Sequence, residues 1–352
     1  MLPSPVLALL HDLVAARSPS REEGPSADVL ESWLVPACAR VGGDFVRADR
    51  NIAAIRDTGV PGPTLLLLSH HDTVPAKPSW TRPPWTPTIE GPRMYGLGAN
   101  DAKGCLSAMC VAFAEAKLAR GKLLLVGACE EETGRGGAEI FLPTLPPADQ
   151  AIVGEPTGLD LAVAQNGMLI LDCAAHGKAG HAARPHLADN AIYRGARDVL
   201  ALEGLILERV HPVAGGTTLA VTVCHAGDAH NVIPDRFTFT VDLRTTAAYT
   251  HDELVERVRA AVSAEVTVRS GRFRPVATPA DAQVLAAARR AHPDAKLFSS
   301  PTLSDWAHVP GAAIKWGPGL SEVSHTADEW VEVAMVERAV GLYRQVVEEV
   351  LG

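Results

Sequence analysis

Four consecutive leucines, Leu65-Leu66-Leu67-Leu68, bounded by Pro63 and Pro75, constrain the fold more than any other feature of the chain. A fully apolar run this short reads as a buried strand rather than a core helix. Lys122 to Ala128, Ala151-Ile152-Val153 and Ala312 to Lys315 are further short runs that read as buried strands, and Asn51 to Arg56 is another short strand. Between them lie helical patterns. Val6, Leu9, Leu10, Leu13 and Val14 recur at helical spacing over residues 5 to 17, and Ser20-Arg21-Glu22-Glu23 has the form of a capping box opening a helix through Leu34. Gly104 to Leu118, 282 to 291 and 331 to 350 are also predicted helical. Strands alternating with helices predict an α/β fold, a mainly parallel sheet covered on both faces.

From about Gln165 the texture changes. Met168 to Ala175, Thr217 to Cys224 and Arg236 to Arg244 are strand-like, while 187 to 209 and 252 to 263 are helical. Strands without strict alternation predict an α+β insert. The expected layout is a discontinuous domain, residues 1–164 and 273–352, interrupted by an inserted domain, 165–272.

The chemistry-bearing residues fall where the strands end, which is where open α/β sheets place their sites. The leucine run is followed by Ser69-His70-His71-Asp72; alternation puts His70 and Asp72 on one face and His71 on the other. Asp101 lies in a glycine-rich loop, Tyr95 to Gly104, without the spacing of a phosphate-binding motif. Glu130-Glu131-Glu132 follows one strand and Glu155 another, and like charges crowded at a sheet end call for a cation. His325 lies in a loop before the last helix. Two histidines and several carboxylates suit Zn²⁺, with Co²⁺ or Mn²⁺ as substitutes. The net charge of −9 disfavours nucleic acid or an anionic membrane as partner. The six cysteines include no Cys-x-x-Cys pair and read as buried core residues of a reducing compartment. With no basic, then apolar, leader and no 18-residue apolar run, the expectation is a cytoplasmic, soluble protein.

Taken together, His70, Asp72, Asp101, Glu131/Glu132, Glu155 and His325 resemble the motif set of the M20 metallopeptidase and deacylase family, in order and over essentially the whole chain. The pattern is nearest that of the N-acylornithine deacetylases. The resemblance implies a dizinc hydrolase domain with an inserted dimerisation and lid domain. By it, His70, Glu132, Glu155 and His325 are terminal zinc ligands, Asp101 bridges two zincs, Asp72 orients His70, and Glu131 is the general base. The family has Asp-Glu-Glu where this chain has three glutamates, so the register there is open by one residue; we take Glu130 as the replaced Asp. Gly180-His181-Ala182-Ala183-Arg184-Pro185 resembles the family's interface motif, implying a homodimer in which His181 assists the oxyanion in the partner's site. His230-Asn231-Val232-Ile233-Pro234 and Val241-Asp242-Leu243-Arg244 imply that Asn231 and Arg244 hold the substrate carboxylate. The implied activity is amide hydrolysis of an N-acyl amino acid, N-acetylornithine first. Alternatives within the family are a carrier-protein lysine or ornithine hydrolase, succinyl-diaminopimelate desuccinylase, acetylcitrulline deacetylase and a dipeptidase. The alternative of another class is a catalytically inactive metal-binding regulatory subunit.

Overall fold

Every residue of Thr64–His70 is buried, as a strand covered on both faces requires. The computed structural model describes residues 4–134 and 136–352. The first half of the chain runs through α1 (Pro5–Ala15), α2 (Gly24–Val41), β1 (Asp44–Ala48), β2 (Asn51–Asp57), β3 (Thr64–His70), α3 (Gly104–Glu115), β4 (Lys122–Ala128), β5 (Gln150–Val153), β6 (Leu161–Gln165) and β7 (Gly167–His176). The second half adds α4 (Ala191–Glu203), β8 (Thr218–Ala226), β9 (Arg236–Thr245), α5 (His251–Ala261), β10 (Glu265–Ser270), α6 (Gln283–Ala291), β11 (Ala312–Lys315) and α7 (Val333–Leu351). The chain divides into two compact units, one of Met1–Val163, Thr278–Phe298 and Ser304–Gly352, the other of Ala164–Ala277 and Ser299–Leu303.

In the larger unit the strands order β1-β2-β4-β3-β5-β11-β6. β3 lies parallel to β4 and β5, and β11 lies parallel to β5. The edges are antiparallel: β1 with β2, β2 with β4, and β6 with β11. The α/β expectation holds, with a parallel centre inside a mixed sheet. Leu65 and Leu67 share one core with Leu10 and Leu13 of α1, Leu30 of α2, Phe113 of α3 and Val346 of α7. Gly154 sits where a Cβ would meet Met109 Cε at 2.8 Å and Cys105 Cβ at 3.0 Å, so α3 packs directly against the chain leaving β5. Because β3, β4 and β5 point the same way, His70, the acidic triplet and Glu155 all emerge at one edge.

The smaller unit is a four-stranded antiparallel sheet, β8-β9-β7-β10. β7 alternates between buried and half-buried residues, the signature of a sheet with one face in the core. Leu169, Leu171 and Cys173 join Phe239, Val241, Leu202 of α4 and Leu254 and Val258 of α5 in that core. On the opposite face Asp172 pairs with Arg269. The helix expected over 187–209 is shorter, because the Asn190 side chain caps its start by accepting from Ile192 N at 2.9 Å and the helix gives way at Gly204.

One local expectation fails for a physical reason. No capping box forms at Ser20 and Glu23. Helix α2 starts at Gly24 with no side-chain cap, while the Ser20 hydroxyl donates to Asp72 and the Glu23 carboxylate accepts from Arg21 N and Glu130 N. A true capping box, Thr250 with Glu253, opens α5 instead. Five of the six cysteines are buried and Cys224 is exposed, all free. Among the described residues no helix is long and apolar enough to cross a membrane.

Candidate metal centre

The residues predicted from strand ends in the larger unit converge. His70, Asp101 and Glu155 form one group, and Asp101, Glu132 and His325 a second; within each group the ligand atoms lie within 4.8 Å of one another. Asp101 belongs to both. Its Oδ1 is 3.3 Å from His70 Nε2 and its Oδ2 is 3.7 Å from His325 Nε2. His325 Nε2 is also 2.9 Å from Glu132 Oε1.

The remaining atoms of these side chains are held by a second layer of groups. His70 Nδ1 lies 3.3 Å from the Asp72 carboxylate and 3.3 Å from the Asp72 carbonyl, so Nδ1 carries the proton in the neutral ring and Nε2 presents a lone pair to the cluster. Asp72 accepts at Oδ1 from Glu131 N at 3.1 Å, and at Oδ2 from Glu132 N at 3.1 Å and the Ser20 hydroxyl at 2.6 Å. Burial alone would raise the Asp72 carboxyl, but His70 and these donors outweigh it and hold it below the usual carboxylate range. Behind Asp101, the buried Glu329 accepts from Asn100 N at 2.9 Å and Asp101 N at 3.1 Å. Asn100 exchanges hydrogen bonds with Leu320 and bonds the Ser324 hydroxyl, tying the His325 loop to the Asp101 loop.

His71 belongs elsewhere, as strand alternation predicts. Its Nε2 donates to the Arg50 carbonyl at 3.0 Å, so its Nδ1 accepts from the Ser26 hydroxyl at 2.7 Å. Burial pushes its pKa down to about 4. Glu130 also stands apart: Arg50 donates to it at 2.7 Å and Arg21 lies 3.7 Å away. Arginine thus faces the first of the three acids, the one taken as standing where the family has Asp. Glu131 stands in neither donor group. Its carboxyl is pushed well up, by burial first and then by Glu155, Asp305 and Glu132 against the opposing pull of His70.

The predicted residues of the smaller unit divide. His181 and Asn231 meet at a two-residue ladder in which His181 pairs with Val232 and Ala182 N donates to the Asn231 carbonyl at 3.0 Å. Arg244 lies in the larger sheet of that unit, exposed and bidentate to Asp242 at 2.9 and 3.1 Å. Glu23, Arg50, Glu329 and the buried Asp305, raised to about 7 by burial, were not among the predicted residues. Glu329 alone had a sequence signal, standing in the His325 segment.

Two imidazoles and three carboxylates with a shared aspartate are a donor set that fits divalent cations. The uncompensated acidity points the same way: burial lifts Glu155 to about 8 and raises Glu132. With Glu155 raised from 4.5 to about 8, the folded, metal-free chain binds more protons than the unfolded chain between those values. Its stability therefore falls as pH rises through that window, and the raised His70 pKa acts in the same direction. A divalent cation needs the deprotonated forms, so its stabilisation grows over the same range. Thermal unfolding of chelated and metal-loaded protein from about pH 5 to about pH 8 is expected to show this divergence. A metal-induced gain that shrinks with rising pH would refute it.

Residues 66–349 match peptidase family M20/M25/M40. The chain is 31% identical over 326 residues to an acetylornithine deacetylase of Myxococcus xanthus, covering 86% of this chain and 84% of that one. Its fold is similar to the aminopeptidase PepT of Bacillus cereus, with TM-score 0.80 and 19% identity over 99% of this chain and 98% of that chain. It is also similar to a dinuclear metal binding peptidase of the M20 family from Bacillus subtilis, with TM-score 0.72 and 15% identity over 98% and 97% of the two chains. The strand-end histidines and carboxylates thus belong to a member of peptidase family M20/M25/M40, a metallo-hydrolase.

Proposed function

We propose that the chain hydrolyses the amide bond of an N-acyl amino acid, N-acetylornithine foremost, with two zinc ions. The observation that carries the reaction is Asp101, one oxygen turned to each donor group, beside a Glu131 that belongs to neither. The substrate rests on the acetylornithine deacetylase to which 86% of the chain aligns. His70 and Glu155 would hold one ion, Glu132 and His325 the other, and Asp101 both. Bound there, two divalent cations supply Lewis acidity, lowering the pKa of water and polarising the acyl carbonyl. A carboxylate oxygen of Glu131 takes the proton as the water oxygen bonds to the acyl carbon. The same carboxyl returns it to the amide nitrogen as the C–N bond breaks, releasing the acid and the amine. Asp72 keeps the His70 lone pair and the Glu131 backbone in place. In this reading His181 donates to the oxyanion from a partner subunit, and Asn231 and Arg244 bind the α-carboxylate; releasing Arg244 from Asp242 is then part of substrate binding.

The test is a hydrolysis panel of acetylornithine, succinylornithine, acetylcitrulline, acetyllysine, succinyl-diaminopimelate and a dipeptide, compared by kcat/KM. Acetylornithine is expected to lead. A higher value for another member replaces the substrate, and no hydrolysis of any by metal-loaded protein overturns the reading. Glu131→Ala is expected to retain its metal by elemental analysis while losing activity by about 10²–10⁴-fold, the usual contribution of a general acid-base group. Metal lost with that substitution would move the ligand from Glu132 to Glu131.

The partner-subunit role of His181 has its own test. Separately inactive Glu131→Ala and His181→Ala proteins are mixed under subunit exchange. Half the dimers are then mixed, each with one intact site, so about a quarter of wild-type activity returns if the sites act independently. No recovery despite demonstrated exchange would leave His181 without a role in the neighbouring site.

A further inference from the structure

The acidic triplet is fixed through its backbone from both sides of the start of the family match of 66–349: by Asp72 within it and by Glu23 before it. Three consecutive amides are each captured by a buried carboxylate: Glu130 N by Glu23 at 2.9 Å, and Glu131 N and Glu132 N by Asp72 at 3.1 Å each. Glu23 is fully buried; its Oε1 also accepts from Arg21 N at 2.8 Å, and its Oε2 from Arg50 at 2.6 Å. The second arm of the Arg50 guanidinium reaches the Glu130 carboxylate at 2.7 Å. Glu23, Arg50 and Glu130 thus close a ring in which two contacts end on the catalytic loop, one on its backbone and one on its side chain. The Arg50 carbonyl is meanwhile held by His71, next to His70. Glu130 itself sits at φ +53, a left-handed conformation that a non-glycine residue adopts only when its surroundings fix it. That turn points the next two amides at Asp72.

We propose that Glu23 and Arg50 are positioning residues of the site: together they hold Glu130 in its left-handed turn and so set where the Glu131 and Glu132 carboxylates stand. An ion pair serving only to fasten α2 to the β1–β2 turn has no need of the loop. Here both members spend a hydrogen bond on it. The kinetic part of this inference rests on the deacylase reading of Glu131, whereas the structural part does not.

The test uses the full chain with Glu23→Gln, which keeps size and drops charge, and Arg50→Gln. Amide exchange of the metal-free proteins is read separately over 130–132 and over β2 and β4. Faster exchange confined to the loop is expected. In the metal-loaded enzyme, kcat is expected to fall about 10–100-fold, the usual effect of losing a partner behind the metal ligands, with KM changed little. Arg50→Lys, which can still reach one of Glu23 and Glu130, should recover part of the loss. Unchanged loop exchange and kcat would overturn the proposal. Protection lost equally from β2, β4 and the loop in both variants would also overturn it, identifying the ring as a structural ion pair. If the wild-type protein hydrolysed none of the panel, the deacylase reading would fall, and loop exchange alone would decide the clamp.

Discussion

The site depends on one buried carboxylate kept charged. Asp72 is removed from water, which by itself favours the neutral acid. Two loop amides, the Ser20 hydroxyl and His70 Nδ1 replace that water. Because Asp72 stays ionised, His70 keeps its proton on the far nitrogen and offers the near one to the cluster. The same two oxygens fix the direction in which the chain leaves β4. One charge therefore aligns ligand-bearing groups from two different strands.

Charge balance explains the rest of the second layer. Asp101, Glu132 and Glu155 crowd one sheet edge with Glu131 among them. The buried Lys315 lies close enough to Glu155 to lower its pKa, although burial pulls the lysine's own pKa down. The other buried lysine, Lys103, donates to the Leu13 and Ala16 carbonyls at the end of α1 rather than to an acid. Lys315 thus offsets part of the negative charge at Glu155, and Arg50 covers Glu130. What is left over falls on the two donor groups, where a divalent ion is the matching counter-charge.

Much of this was legible in the residues. Apolar runs too short for helices gave β3, β4, β5 and β11, and the acids and histidine directly behind three of them gave His70, Glu132 and Glu155, because parallel strands bring their carboxyl ends together; Asp101 and His325 come from loops. Alternation along β3 separated His71 from His70 and Asp72. The supporting layer was not legible. Ser20 and Glu23 carry the spacing of a capping box, and local propensity would spend them on the helix start. Only tertiary packing places them beside Asp72 and Glu130. Arg50, at a hairpin turn, has no periodicity to mark it, and Glu23 and Glu130, which it joins, lie 27 and 80 residues away.

The acidic triplet illustrates the same limit at single-residue scale. Three identical side chains in a row carry no internal register, so their order alone assigns no roles. Backbone direction does. The left-handed turn at Glu130 sends its carboxylate to Arg50, and the next two amides then reach opposite oxygens of Asp72. With those amides held, the Glu132 carboxylate meets His325 and that of Glu131 falls outside both donor groups. The replacement of an expected aspartate by glutamate at 130 is consistent with this geometry: the added methylene lengthens the reach toward Arg50 and away from the metal groups. The position of each acid is thus set by what its neighbours' amides bind, one step removed from its own side chain.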